Sequence, residues 1–194
     1  GDMGIFSFFP TKTLGGYGDG GMIVTNDDNL AQMTKMFRVH GASKKYHYDY
    51  IGYNSRLDSI QAAVLSVKLK YIDEAIKKRE TIANWYMDKL SDCEYVRFPK
   101  IKGPQSPVYY VFNILAEKRD ELANFLKENE IGYSIYYPIP LHMQKCFSYL
   151  GHKKGDFPVS EKISEEILAL PIYPEITEEE VDFVCETIKK FYRK

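Results

Sequence analysis

The sequence predicts an α/β chain in two parts, an α/β piece over residues 1–75 and an α+β domain over 76–194. Three observations carry this reading. Two short apolar runs, residues 5–9 and 22–25, flank a glycine-rich turn. A long helical stretch, Asp58 to Leu90, then bridges the two parts. After Pro107, strand-like and helix-like segments alternate. At 194 residues the chain is long enough for one domain, or one and a half, with a sizeable core.

Taken in order, residues 5–9 and 22–25 read as strands. Asp27-Asp28-Asn29 caps a helix running to about Arg38. Gly41 through Asn54 has no helical period and carries Tyr46, His47, Tyr48, Tyr50 and Tyr53, which predicts a long functional loop. In the long helix, Ile60, Ala63, Val64, Val67, Leu69, Ile72 and Ile76 form an apolar stripe. Its length predicts a bend between Lys68 and Asp73. Pro99 to Pro107 is a loop. Val108–Leu115 reads as strand, Arg119–Asn129 as helix, Ile131–Tyr137 as strand and Ser160–Ala169 as a short helix. Thr177-x-x-Glu180 is a capping box that opens a last amphipathic helix through Phe191.

Composition excludes several classes. Hydrophobic residues at 44% and charged residues at 27% are ordinary for a soluble globular protein. A net charge of −1 and scattered lysine pairs give no nucleic-acid signal. Cys93, Cys146 and Cys185 are far apart, with no Cys-x-x-Cys and no zinc-ligand spacing, so reduced structural cysteines and no metal are expected. No signal peptide or apolar run of membrane-spanning length occurs, so the expected location is cytoplasmic, without a membrane partner.

Ser7-Phe8-Phe9-Pro10-Thr11-Lys12 ends a strand in a lysine, and Gly15-Gly16-Tyr17-Gly18-Asp19-Gly20-Gly21 follows. A lysine held there can form an imine with a carbonyl compound, although lysines are ordinarily solvated surface charges. Gly16-x-Gly18-x-x-Gly21 satisfies the dinucleotide pattern, but that pattern needs a helix to open from it, and here a strand follows. The glycines are therefore read as positive-φ positions of a chain reversal and as points of close backbone approach. Ser7, on the same strand, is either a phosphate-binding hydroxyl or a plain strand serine.

The segment Ser7 to Lys12 with Gly18-Asp19-Gly20-Gly21 resembles the cofactor-lysine segment of the DegT/DnrJ/EryC1/StrS family, pyridoxal-phosphate-dependent nucleotide-sugar aminotransferases. The resemblance extends to Arg38-Val39-His40-Gly41, Gly52-Tyr53-Asn54-Ser55-Arg56-Leu57-Asp58-Ser59-Ile60-Gln61-Ala62-Ala63, Tyr137-Pro138-Ile139-Pro140-Leu141-His142-Met143-Gln144 and Leu170-Pro171-Ile172-Tyr173-Pro174. It implies the C-terminal part of an aspartate-aminotransferase-like, type I fold. Residues 1–75 would be the remaining part of the large domain that binds pyridoxal phosphate, and 76–194 the small C-terminal domain. The N-terminal half, with the ring that stacks on the cofactor and the acid facing its pyridine nitrogen, would be missing. The expectation is then a proteolysed chain, a truncated product or a degraded gene.

The resemblance makes Lys12 the Schiff-base lysine and Ser7 a phosphate ligand. It places Asn54 on the cofactor phosphate of a partner subunit, with Arg56 lining the same shared site, in a homodimer. It brings His142 toward the nucleotide-sugar substrate. Tyr46, His47 and Tyr137 either contact sugar or nucleotide or pack within loops. His40 is expected to be structural and His152 exposed. Lys12 argues against the branch of the family that carries histidine at this position and dehydrates its substrate. The implied reaction moves an amino group from glutamate to a keto-sugar on a nucleotide diphosphate, for a surface glycan or a glycosylated metabolite. The competing reading is a non-catalytic dimerisation or interaction fragment of such an enzyme.

Overall fold

The structure, a computed structural model, describes residues 1–101 and 103–193. It divides into two compact units, Gly1–Glu74 and Ala75–Lys194.

In the first unit, β1 (Gly4–Ser7) pairs antiparallel with β2 (Gly21–Val24), Gly4 opposite Val24 and Ser7 opposite Gly21. Phe8 N–H extends the pairing by donating to Gly20 O at 2.8 Å. Helix α1 (Asp28–Phe37) starts where expected, with the Asp27 carboxylate accepting from the amides of Asn29 and Leu30. The segment 41–54 is not a structureless loop. It folds as a hairpin of β3 (Ala42–Lys44) and β4 (His47–Tyr48) with a register shift. Helical and strand periodicities are both illegible in strands this short.

The long helical stretch is interrupted inside the expected bend. Helix α2 (Ser59–Lys68) passes through a 3₁₀ turn at Leu69–Tyr71 into α3 (Ile72–Lys89). The apolar stripe does not face a core within this unit, however. Ile60, Val67 and Leu69 are exposed, and α2 buries only Leu65. Phe8 and Leu65 are the only buried apolar side chains among the described residues of the first unit.

The second unit is an antiparallel sheet in the order β5 (Val96–Arg97), β6 (Phe112–Ala116), β7 (Ile167–Leu170). It carries α4 (Arg119–Glu128), α5 (Pro158–Glu166) and α6 (Glu178–Tyr192). Three expectations fail here. The strand expected over 108–115 starts only at Phe112, beyond Tyr109 at φ +43°. The segment 131–137 makes no strand: only Ser134 bridges to Ala169, with Tyr133 and Ile135 turned into the core on either side. Its alternation is strand-like, but Pro138 and Pro140 beyond it cannot donate to a ladder. The helix expected over 160–169 ends at Glu166. The next four residues, all apolar and all buried, form β7. Arg119 marks the junction, its Nη1 donating to Ser164 O at 3.2 Å and Ile167 O at 2.9 Å.

Phe112, Ile114 and Ala116 alternate onto one sheet face. They join Ile82 and Tyr86 of α3, Leu90 just past its end, Leu122 and Leu126 of α4, and Val181, Val184 and Ile188 of α6 in one core. The capping box forms as expected, Thr177 Oγ1 accepting from Glu180 N and Glu180 Oε2 from Thr177 N. Cys185 lies in this core as a free thiol, and burial pushes its pKa up to about 12, so it stays protonated.

Two polar groups of α3 anchor the ends of the sheet strands. Arg79, buried, donates from Nη1 to Tyr109 O at 3.1 Å and Ile172 O at 3.0 Å. Tyr86 donates its hydroxyl to Pro171 O at 2.9 Å. Replacing Arg79 by Met leaves both carbonyls without that donor and should cost about 2–4 kcal/mol in urea denaturation. Tyr86→Phe should cost about 1 kcal/mol.

Glu161, in the first turn of α5, gathers the preceding loop. Its carboxylate accepts from Gly155 N, from Phe157 N and from the His142 ring at 2.9 Å. Burial pushes its pKa up, but the bonds from Gly155, His142 and Phe157 outweigh this and hold it below the ordinary carboxylate value. A carboxylate so lowered stabilises the fold above its unfolded pKa, about 4.3, and loses that effect as pH falls through the folded value. Glu161→Gln should therefore lower the melting temperature at pH 7. The gap from wild type should close in a melt series carried down to pH 3.

Candidate active site

Lys12 lies on a tight turn directly after β1. Its amide donates to Phe9 O at 2.9 Å, and Gly16 N–H closes the loop on Phe8 O at 2.8 Å. The loop is pulled against α2. Gln61 Oε1 accepts from Tyr17 N at 2.7 Å, and Lys68 Nζ donates to Gly15 O at 2.6 Å. Ser7, exposed at the end of β1, accepts from Phe9 N at 3.3 Å, so its own O–H remains a donor.

The glycines here serve one of their two expected uses. None of Gly15, Gly16, Gly18, Gly20 or Gly21 has a positive φ. Close approach is what they provide: a β-carbon on Gly15 would sit 2.3 Å from Pro10 O, and one on Gly21 would sit 2.9 Å from Phe6 O. Beneath the loop, Leu57 and Phe8 pack where a Gly20 side chain would be.

Asn54 and Arg56 stand on a second backbone-built platform. Val39 and Asn54 form an antiparallel bridge, flanked by His40 N to Tyr53 O at 2.8 Å and Ser55 N to Arg38 O at 2.9 Å. The motifs Arg38-Val39-His40-Gly41 and Gly52-Tyr53-Asn54 are thus zipped together. Their glycines meet: a β-carbon on Gly52 would lie 2.2 Å from Gly41 N. Gly41, at φ +79°, is held where only glycine fits, since its β-carbon would strike Tyr50 O at 1.9 Å. Arg56 Nη1 lies 3.2 Å from His40 Nε2, which gives His40 its structural role. Asn54 and Arg56 are both exposed. Tyr46 is exposed at the tip of the β3–β4 hairpin, with Lys45 Nζ 5.1 Å from its ring centre, and His47 is exposed beside it.

In the second unit, Tyr137 is exposed and lines a groove of about 330 Å³ with Pro138, Ile139, Leu141 and Ile163. His142 is different. Its side chain is only 8% exposed, its Nε2 is committed to Glu161, and its ring lies 4.8 Å from that of Phe157. His152 packs edge-on to the same Phe157 and lies 3.5 Å from Asp156.

The structure therefore groups Ser7 with Lys12, Asn54 with Arg56 and His40, and Tyr137 with the His142 loop. Sequence reading missed Gln61, Lys68 and Glu161. Gln61 lies within the segment Gly52 to Ala63, but an isolated glutamine carries no chemical signal. No group of three or more metal-ligating side chains occurs among the described residues, and no helix there is long and apolar enough to cross a membrane.

A primary amine on a turn and a hydroxyl donor at the end of the strand that leads into it suit a ligand with one carbonyl and one phosphate. Pyridoxal phosphate fits that donor set. The Ser7 O–H can donate to a phosphate oxygen, and the Lys12 turn needs no helix N-terminus to be closed.

A sequence profile described as the DegT/DnrJ/EryC1/StrS aminotransferase family matches residues 1–189. The chain is 47% identical over its whole length to a pleiotropic regulatory protein of Geobacillus stearothermophilus, covering 52% of that protein. It is 37% identical over 98% of its length to UDP-N-acetyl-3-dehydro-alpha-D-glucosamine 3-aminotransferase of Acidithiobacillus ferrooxidans, covering 51% of it. Among solved structures it superposes on S. venezuelae DesV in complex with a ketimine intermediate, with a TM-score of 0.93, 32% identity, and 99% of this chain and 52% of that chain covered. The chain spans about half the length of the curated relatives it matches. The fold is that of the C-terminal portion of a type I pyridoxal-phosphate enzyme, and the chain belongs to the DegT/DnrJ/EryC1/StrS aminotransferase family.

Proposed function

We propose that this chain is the C-terminal half of a cytoplasmic, pyridoxal-phosphate-dependent aminotransferase. It moves an amino group from glutamate to a keto-sugar carried on a nucleotide diphosphate, making an amino sugar for a surface glycan or a glycosylated metabolite. The observation that carries this is Lys12 on a loop fastened at both ends, with the Ser7 hydroxyl on the strand that leads into it.

Bound there, the cofactor supplies the electron sink that side chains lack. Lys12 Nζ is the amine that holds its carbonyl carbon. When not engaged with that carbon, Lys12 Nζ would be the amine that takes up and returns the proton. Ser7 Oγ donates to the phosphate. Asn54 and Arg56 bind anions from the partner subunit, the guanidinium braced by His40 and the amide offering two N–H donors. Tyr46 and Tyr137 supply exposed rings for sugar or base. His142 enters only through its Nδ1 edge, because Nε2 is bound to Glu161.

Full-length protein treated with pyridoxal phosphate and then borohydride should carry the label on the Lys12 peptide. Lys12→Ala should abolish the label and lower turnover by about 10²–10⁴-fold or more. A labelled protein with Lys12 unmodified sinks the assignment. A 194-residue chain that dimerises but takes up no cofactor supports the non-catalytic fragment reading for this chain.

The shared site has its own test. Full-length Lys12→Ala and Asn54→Ala subunits, each inactive, should regain about a quarter of wild-type activity when unfolded together and refolded as mixed dimers. No recovery means that Lys12 and Asn54 serve one site from one subunit.

A further inference from the structure

Gly16 and Gly18 pack against a side chain of their own unit. Gln61 projects from the face of α2 that also carries Leu65 and Lys68, at spacings of four and three residues. A β-carbon on Gly16 would lie 2.9 Å from Gln61 Oε1, and one on Gly18 would lie 2.8 Å from Gln61 Nε2. Neither glycine has a positive φ. Backbone conformation therefore does not require glycine at either position; a side chain there would instead displace the Gln61 carboxamide. The two glycines form a seat for the Gln61 carboxamide, and the seated carboxamide accepts from the amide between them, Tyr17 N, at 2.7 Å. About two turns further along α2, Lys68 Nζ holds Gly15 O. The loop that leaves Lys12 is thus held at Gly15 and Tyr17 by one helix face.

We propose that Gln61 is a positioning residue for Lys12. It acts through the Tyr17 amide and the glycine seat to fix the loop whose other end is the Lys12 turn. The inference rests on the reading of Lys12 as the cofactor lysine. A loop released from α2 still carries the amine, but no longer in one orientation, and misplacement of a reacting group by about 1 Å costs on the order of 10²-fold in rate. Gly18→Ala should do the same from the opposite side, since its methyl displaces the flexible end of Gln61 rather than backbone.

The test compares full-length wild type with Gln61→Met, Gln61→Glu, Gly18→Ala and the Gln61→Met/Gly18→Ala pair. Amide exchange at Tyr17 is read in cofactor-free protein. Lys12 labelling, kcat and KM for the keto-sugar are read in loaded protein. Gln61→Met and Gly18→Ala should each speed Tyr17 exchange about 3–10-fold, the loss of one hydrogen bond. Each should lower kcat about 10-fold or more with KM little changed. Gln61→Glu, which keeps an acceptor oxygen, should stay near wild type in both. The pair should be no worse than Gln61→Met alone, because both changes break the same contact. Lys12 labelled in wild type, with kcat unchanged in Gln61→Met and Gly18→Ala, overturns this inference alone. So does full additivity in the pair. Wild-type protein with Lys12 unlabelled overturns the functional reading and this inference with it.

Discussion

A β-carbon on Gly16 or Gly18 would lie within 2.9 Å of the Gln61 carboxamide, and one on Gly52 would lie 2.2 Å from Gly41 N. These contacts matter because the first unit has little else to order it. Phe8 and Leu65 are its only buried apolar side chains among the described residues. The lysine loop and the Asn54–Arg56 segment are instead held by main-chain bonds and by side chains that reach main chain. At Gly15, Gly41 and Gly52 the backbones come closer than any β-carbon would allow. Glycine therefore sits beside both groups of candidate site residues. A substitution at these glycines acts on site geometry directly, without passing through a core.

The second unit is built the other way. Its sheet buries one face against α3, α4 and α6, and the core runs from Ile82 to Ile188. Its polar side chains finish what the sheet leaves open. Tyr109, Pro171 and Ile172 lie just outside β6 and β7, and their carbonyls find Arg79 and Tyr86 in place of a neighbouring strand. The same economy appears at the α5–β7 junction, where Arg119 takes carbonyls from the end of the helix and the start of the strand. A charged donor suits this task because one guanidinium group can serve several carbonyls at once. The loop bearing Tyr137 and His142 starts from the Ser134–Ala169 bridge and is tied back by Glu161. Its shape thus depends on the sheet at one end and on a single carboxylate at the other.

Elements with strong local signals were legible in the sequence. The Asp27 cap and the Thr177–Glu180 box each depend on a few neighbouring residues, and each lies where those residues put it, while the break between Lys68 and Asp73 follows from the length of the stretch. Elements defined by partners were not. Ile167-Leu168-Ala169-Leu170 is too short and too uniformly apolar to tell helix from strand, and only pairing with β6 makes it β7. Residues 131–137 alternate like a strand but find a single bridge. The site divides in the same way. Lys12, Ser7 and Asn54 came from motifs with local order. The commitment of His142 to Glu161, nineteen residues away, and of Gln61 to Tyr17, forty-four away, has no local trace.

Helix α2 shows why periodicity misled at one place and how the same reading can be turned to use. Ile60, Val64 and Val67 form the apolar stripe, whereas Gln61, Leu65 and Lys68 form the face that meets the lysine loop. The two sets differ by one residue in register, a rotation of about 100°. Hydrophobic periodicity finds the apolar face and takes it as the inward one. That holds when a helix packs on side chains. A helix that packs on a glycine loop meets bare N–H and C=O groups, and burying these against Ile or Val would leave them unpaired at about 1–3 kcal/mol each. The inward face must then carry donors and acceptors. A polar pair at helical spacing, downstream of a glycine-rich loop, is the pattern such packing demands, and Gln61 with Lys68 satisfies it.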